Sequence, residues 1–416
     1  MLNRLLNNKF IQGGFIFTSA SFVVSVLNYF FNLLLARGFS LSIYGEYMSA
    51  LSYFAILTVP FSALNIIVIK RISKSKVADR ASVAKSIENL LINNIIKYKF
   101  QILVALVAIF AIFYLKTNLT LATILFIILS SILNMFSILY SATIQAYKSF
   151  LIAGLFALSM AVLKIIGGLT VIRISPGLLT LYILLISLNL LSIFIGSKLL
   201  SYKQVIKNRT ISVDSISKYL LRKQILLPTI TMLGVIGMLN MDLIMVKKFF
   251  DAQEVGLYAA LSLLGKIILY GTGPLSLVAM TFFSGSENKH NKEKILFFTA
   301  GVYLFVGIIA TFFYYNFSEL VVSLIFGMKF IAISQYIWLS AIFGSLYSIV
   351  TLFAQYSIAE SRNFSTISLA GLIFQILGFY FFNNSFYDIL MVNIVAMIVM
   401  TIIYSIFILR HAKTKA

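Results

Sequence analysis

The sequence contains no cysteine, which excludes disulfides, thiol nucleophiles and cysteine metal sites. Its two histidines, His290 and His411, lie in charged flanks, which argues against a histidine metal site. Acidic residues are scarce, at 12 Asp and Glu against 33 Lys and Arg. No Walker-A GxxxxGK(S/T), HExxH, GxSxG or paired-carboxylate cluster occurs, so we expect neither enzymatic activity nor a cofactor. Charged residues of both signs make up only 11% of the chain, too few to cover the surface of a soluble protein.

What is present is apolar: 61% of the 416 residues are hydrophobic and the mean hydropathy is +1.00. The apolar residues form about twelve runs of spanning length, near 13–36, 43–68, 100–116, 119–141, 149–172, 177–198, 225–246, 254–283, 296–316, 334–357, 364–382 and 387–409. The runs are continuous, whereas barrel strands alternate, so the expected fold class is an all-α integral membrane protein. The first run is too long for a cleaved signal and has no A-x-A-like site after it. The short third run is expected to continue into the preceding loop, and the long eighth to tilt or include an interfacial turn. Two six-helix lobes are expected, over 1–198 and 225–416, joined by a cytoplasmic linker at 199–224. Within the 70–99 loop, Val83, Ile87, Leu90, Leu91 and Ile95 share one helical face, which predicts an amphipathic helix lying at the membrane interface.

The net charge of +21 invites a nucleic-acid reading, but the loops explain it better. With a cytoplasmic N-terminus, inside segments carry 25 Lys and Arg and outside segments six: Arg37, Lys116, Arg173, Lys247, Lys248 and Lys329. This bias predicts an even number of spans, with both termini cytoplasmic and basic loops facing anionic lipid.

The chain repeats itself at a spacing of about 211 residues: Leu27-Asn28 is echoed by Leu239-Asn240, Phe39 by Phe250, Gly45-x-Tyr47 by Gly256-x-Tyr258, and Ala50-Leu51-Ser52 by Ala260-Leu261-Ser262. One helix-loop-helix unit has been used twice, as in many transporters.

Polar residues inside the runs are the functional candidates. Ser21, Ser25, Asn28 and Asn32 stack on one face of the first run, and Ser340, Gly344, Ser348, Thr351 and Gln355 on one face of the tenth. Such stripes serve either helix packing or a wet cavity. Lys164 shares a face with Ala157, Ala161 and Gly168, and Lys266 with Ser262, Tyr270 and Gly273. A charge at the centre of a membrane costs roughly 2.5–3.5 kcal/mol on insertion scales, so these lysines either snorkel to the interface or serve a function. Asp242 is either a partner of a buried cation such as Lys266 or part of the same site. Arg37 ends the first run as Lys247 and Lys248 end the seventh, either as interfacial anchors or at the outer mouth of a cavity. The intramembrane balance is positive, which suits an anionic substrate, phosphate in particular.

The segment LLLARGFSLSIYGEYMSALSYFAILTVP resembles the N-terminal signature of the O-antigen and polysaccharide flippases (Wzx-type) of the MATE-like exporter superfamily. LNMDLIMVKKFFDAQEVGLYAALSLLGK is similar to the family's seventh and eighth spans, and Ile144–Lys148 and Phe326–Phe330 also resemble it. The resemblance implies a pair of six-helix lobes working by alternating access on an undecaprenyl-pyrophosphate-linked oligosaccharide. Arg37, Lys164 and Lys266 would meet the pyrophosphate, with Asp242, Asn28 and Asn32 lining the same path. Membrane lipid, a polysaccharide polymerase and other assembly proteins are the implied partners, and nucleic acid is not among them. A cation-coupled drug antiporter is the alternative, weakened by the scarcity of acids. A membrane glycosyltransferase or polymerase ranks last, for want of a sizeable outside loop.

The charge bias sets the first test. Cysteines placed at Ser75 and Ser212 in the cysteine-free chain should resist an impermeant thiol reagent in intact cells, and ready labelling of both from outside would overturn the orientation.

Overall fold

The computed structural model of the protein describes residues 9–75, 79–147, 149–203, 223–284, 289–360 and 364–413. Among these, all regular structure is helical. The helices are α1 (Lys9–Gly38), α2 (Leu41–Lys74), α3 (Arg80–Lys97), α4 (Lys99–Lys116), α5 (Leu121–Ala146), α6 (Phe150–Ile174), α7 (Leu178–Lys203), α8 (Lys223–Phe249), α9 (Ala252–Ser284), α10 (Lys289–Asn316), α11 (Ser318–Ile325), α12 (Ile337–Ala359), α13 (Ser365–Phe381) and α14 (Phe386–Lys413), with a 3-10 segment at Met328–Tyr336 before α12.

Ten helices are long and apolar enough to cross a membrane, and α2 and the shorter α13 take the remaining two of the twelve predicted runs. The chain is a multi-pass membrane protein. The helix of the third run does not continue into the preceding loop: α4 starts at Lys99, and Tyr98 separates it from α3. The eighth is one uninterrupted helix of 33 residues. Residues 204–222, the bulk of the expected linker, lie outside the described residues.

Packing divides the chain into two compact units. The first holds Met1–Leu34 and Leu57–Leu226, the second Leu35–Ile56 and Leu227–Ala416. The turn between α1 and α2, with the adjoining helix ends, therefore packs with the second unit.

In the first unit, α3 is not laid against lipid headgroups by its apolar face. Val83, Ala84 and Ile87 are buried against Leu64, Val68 and Ile72 of α2 and Leu139, Ala142 and Ala146 of α5, with Leu90 and Leu91 partly covered. The ends of α2 and α5 present apolar side chains of their own, and close packing on them removes more surface from water than a headgroup layer can. Tyr140 of α5 donates to Glu88 Oε1 at 2.8 Å and fixes the docking. Farther along α5, Thr123 bonds Tyr182 of α7 at 2.9 Å, and Phe126 stacks on the same tyrosine ring.

In the second unit, glycines bring backbones together. A Cβ on Gly45 would lie 2.6 Å from the Gly256 amide nitrogen, and one on Gly256 would strike the Leu41 carbonyl oxygen. The two copies of the repeated Gly-x-Tyr thus meet each other. A Cβ on Gly344 of α12 would strike the carbonyl of Gly265 in α9, and one on Gly265 would lie 2.7 Å from that of Ser340. Ser340 and Ser348 are fully or almost fully buried, so this part of the α12 stripe serves helix packing. Gly327, at φ +94°, turns the chain into the 3-10 segment in a conformation that favours glycine. That turn lets Phe330 pack edge-on to Tyr44 at 6.0 Å, while Lys329 Nζ donates to the carbonyls of Arg37 and Phe39 at 3.1 and 2.6 Å.

Gly256→Ala should therefore lower the melting temperature of the purified protein, with a cost of about 1–3 kcal/mol for overpacking. Gly271→Ala and Gly301→Ala, where nothing lies within 4 Å of an added Cβ, should be neutral or slightly stabilising.

Candidate functional site

Each unit holds a lysine well inside a spanning helix, Lys164 and Lys266, and each of these two bonds an asparagine of the repeat. In the first unit, Lys164 of α6 donates to Asn28 Oδ1 of α1 at 3.1 Å, and its ammonium lies 4.5 Å from the centre of the Phe31 ring. Asn28 Nδ2 donates to the Val24 carbonyl at 3.0 Å, which turns the amide oxygen toward the lysine. Gly168, one turn beyond Lys164, leaves room for Phe31, since a Cβ there would lie 2.6 Å from the ring. Asn32 lies one turn further along the same face of α1.

In the second unit, Tyr258, Ser262 and Lys266 follow at four-residue intervals along α9 and face α8. Lys266 Nζ donates to Asn240 Oδ1 at 3.5 Å, and Asn240 Nδ2 to the Ile236 carbonyl at 2.9 Å, the same arrangement as at Asn28. Asp242 is fully buried. Its Oδ2 accepts from Tyr258 at 3.0 Å and Ser262 at 3.4 Å, and its Oδ1 accepts from the Leu243 amide at 2.7 Å. Asp242 and Lys266 are close enough for their charges to interact, but among the described residues they form no ion-pair contact. The Tyr258 hydroxyl also accepts from Asn393 at 3.2 Å, and Gln375 donates to Asn393 Oδ1 at 2.5 Å and to the Met238 carbonyl at 3.1 Å. One polar network therefore joins α8, α9, α13 and α14. Neither lysine reaches for the interface in the way a snorkelling side chain would, because both ammonium groups are bonded to side chains within the spans.

Arg37 is engaged elsewhere. Its Nε donates to the Ile325 carbonyl at 2.9 Å and its guanidinium also bonds the Leu324 carbonyl, satisfying the last turn of α11. Beside it in the second unit, Lys247 forms a buried ion pair with Glu46 at 2.5 Å, which ties the α1–α2 turn to the end of α8. Lys248 donates to the Tyr380 hydroxyl at 2.7 Å. The structure thus joins Lys164 to Asn28 and gathers Asp242 with Lys266, while Arg37 serves a backbone role.

Sequence reasoning missed several of these partners. Asn240 is legible as the echo of Asn28, but nothing in its spacing gives it a lysine partner. The ion pair links residues of two repeat-related segments, and no spacing in the sequence joins Glu46 to Lys247. Gln375 and Asn393 are isolated amides in apolar helices and gave no pattern to follow.

Twelve apolar helices in two compact units make an all-helical architecture of the MATE-like type. The fold is shared with a lipid II flippase, MurJ, in an inward closed conformation, at a TM-score of 0.69 and 16% identity, over 96% of this chain and 87% of that one. It is also shared with a multidrug resistance MATE family transporter of the MOP superfamily. The inward-facing conformation gives a TM-score of 0.64 at 16% identity, over 94% of this chain and 96% of that one. The outward-facing one gives 0.64 at 16% identity, over 99% of both chains. No protein-family model and no curated protein matches the sequence.

The ion pair gives a direct test. Lys247→Met removes the cation from the buried Glu46 carboxylate and should cost about 3–5 kcal/mol, read as a lower melting temperature in detergent. Exchanging the charges, Glu46→Lys with Lys247→Glu, should recover at least half of the loss; no recovery would mean that the ion pair is not what ties the turn to α8.

Proposed function

We propose that the protein is a flippase that moves an undecaprenyl-pyrophosphate-linked oligosaccharide, such as an O-antigen or related polysaccharide repeat unit, from the cytoplasmic to the outer leaflet of a bacterial inner membrane. The supporting observation is that two intramembrane lysines, one in each unit, are held by neutral amides, Asn28 and Asn240, which are themselves repeat equivalents. An amide oxygen compensates an ammonium only partly. A pyrophosphate is the stronger acceptor and can displace it. Lysine acts as a point charge on a flexible stem, so it can follow a moving headgroup and release it again. The fold shared with a lipid II flippase supports the same class of cargo. On this reading the protein performs no chemistry on its cargo, both termini are cytoplasmic, and glycosyltransferases and a polymerase work on either side of it.

The buried Asp242 and the fold shared with MATE transporters favour a second reading, a cation-coupled drug antiporter. The two make opposite demands on the charges. For a flippase, Lys266→Glu and Lys164→Glu should each lose most surface polysaccharide at normal protein levels, while Lys266→Arg keeps much of it. For an antiporter, Asp242→Asn should abolish drug resistance and leave surface polysaccharide untouched. Surface polysaccharide at the parent level in both lysine-to-glutamate variants would remove the lysines from any phosphate site.

A further inference from the structure

We propose that the groove between α13 and α14 binds a phospholipid with a primary-amine headgroup, phosphatidylethanolamine, through Asp388. The two helices are consecutive in the second unit, joined by the short turn from Phe382 to Ser385. A Cβ on Gly378 would lie 2.7 Å from Val392 Cγ1, so the bare glycine lets α13 and α14 close on each other near that turn. The large side chains beside this contact line a groove of about 470 Å³, with Phe374, Phe381 and Phe382 on one wall and Met391 and Val395 on the other. That volume is within the range of small-ligand sites.

Asp388 is the charged residue of this lining, and it sits in the first turn of α14. A carboxylate so placed commonly serves the amides at the start of its own helix. Here Ser385 takes that part: its hydroxyl oxygen accepts from the Asp388 amide at 3.2 Å. Among the described residues the Asp388 carboxylate makes neither a hydrogen bond nor an ion pair. The spanning segment of α14 begins at Phe386, which sets Asp388 at the depth of lipid headgroups.

An unpaired anion at the head of an aromatic groove calls for a cation with an apolar body. Phe381 and Phe382 are 77% and 60% exposed, so their rings are open both to an alkyl chain and to an ammonium. A lipid supplies both halves, the acyl chain along the rings and the headgroup at Asp388. The carboxylate then sets the order among headgroups. A primary ammonium donates a short charge-assisted hydrogen bond to it. Choline has no N–H to donate and its methyl groups hold the charge away. An anionic headgroup brings a second negative charge to the same place. The proposal does not depend on the cargo, because lipid retention is scored without transport.

The test is native mass spectrometry of the purified full chain after incubation with equal amounts of phosphatidylethanolamine, phosphatidylcholine and phosphatidylglycerol. The parent should retain them in that order. Asp388→Asn, which keeps the shape of the side chain, should lower the preference for phosphatidylethanolamine over phosphatidylglycerol about threefold, the effect of one exposed ion pair. Asp388→Glu should keep at least half of the preference. The score is a ratio between lipids on the folded chain, so a loss of folded protein does not imitate the effect. Val395→Trp, which fills the groove, should lower retention of all three lipids. Glu319→Gln removes an exposed acid from the first turn of α11, outside the groove, and should change nothing. Parent preference in Asp388→Asn would overturn the headgroup assignment, and parent retention in Val395→Trp would overturn the groove; either result sinks the proposal. It would equally fail if Glu319→Gln lost as much preference as Asp388→Asn, marking a diffuse surface charge, or if free ethanolamine displaced the lipid, marking a soluble-amine site.

Discussion

A charge removed from water must be met by a partner, and the choice of partner organises this molecule. Lys164 and Lys266 are met by amides, Asp242 by two hydroxyls and a backbone amide, and Lys247, at the end of α8, by a carboxylate. These choices have different energetic consequences. A buried ion pair is costly to break from one side and fastens what it joins. An ammonium on an amide is compensated less completely and exchanges its partner more readily. Rigidity is thus concentrated where the α1–α2 turn is fastened, and chemical availability where the lysines sit.

The fastening depends on the glycines. Because Gly45 and Gly256 have no side chains, the backbones of two repeated segments come close enough for Glu46 to reach Lys247. Lys329 secures the same turn through its carbonyls, and Arg37 at its start satisfies the end of α11. A motif that reads in the sequence as a family signature is, physically, a place where only glycine and a few placed cations allow the chain to close on itself.

The helices were legible because continuous apolar runs are a long-range signal that local context does not override. The lysines were legible because a charge in such a run stands out. Asn28 and Asn240 could be paired through the repeat, but their role could not, since an amide in a helix serves packing as well as it serves a cation. The network through Tyr258, Asn393 and Gln375 joins helices 135 residues apart in the chain, and no spacing rule reaches that far. The amphipathic face of α3 was read correctly and its partner was not, because hydrophobicity has no direction: the pattern says that a face is buried, and only the ends of α2 and α5 say against what.

The α2 helix belongs to both units: its start, through Ile56, packs with the second and its remainder with the first. Pro60 lies inside the helix and has no N–H to give to the carbonyl four residues earlier, which is that of Ile56. The hydrogen-bond ladder therefore loses a rung at the residue where the packing changes hands. In mechanical terms α2 is a rod with one softened joint, the point along its length where bending costs least.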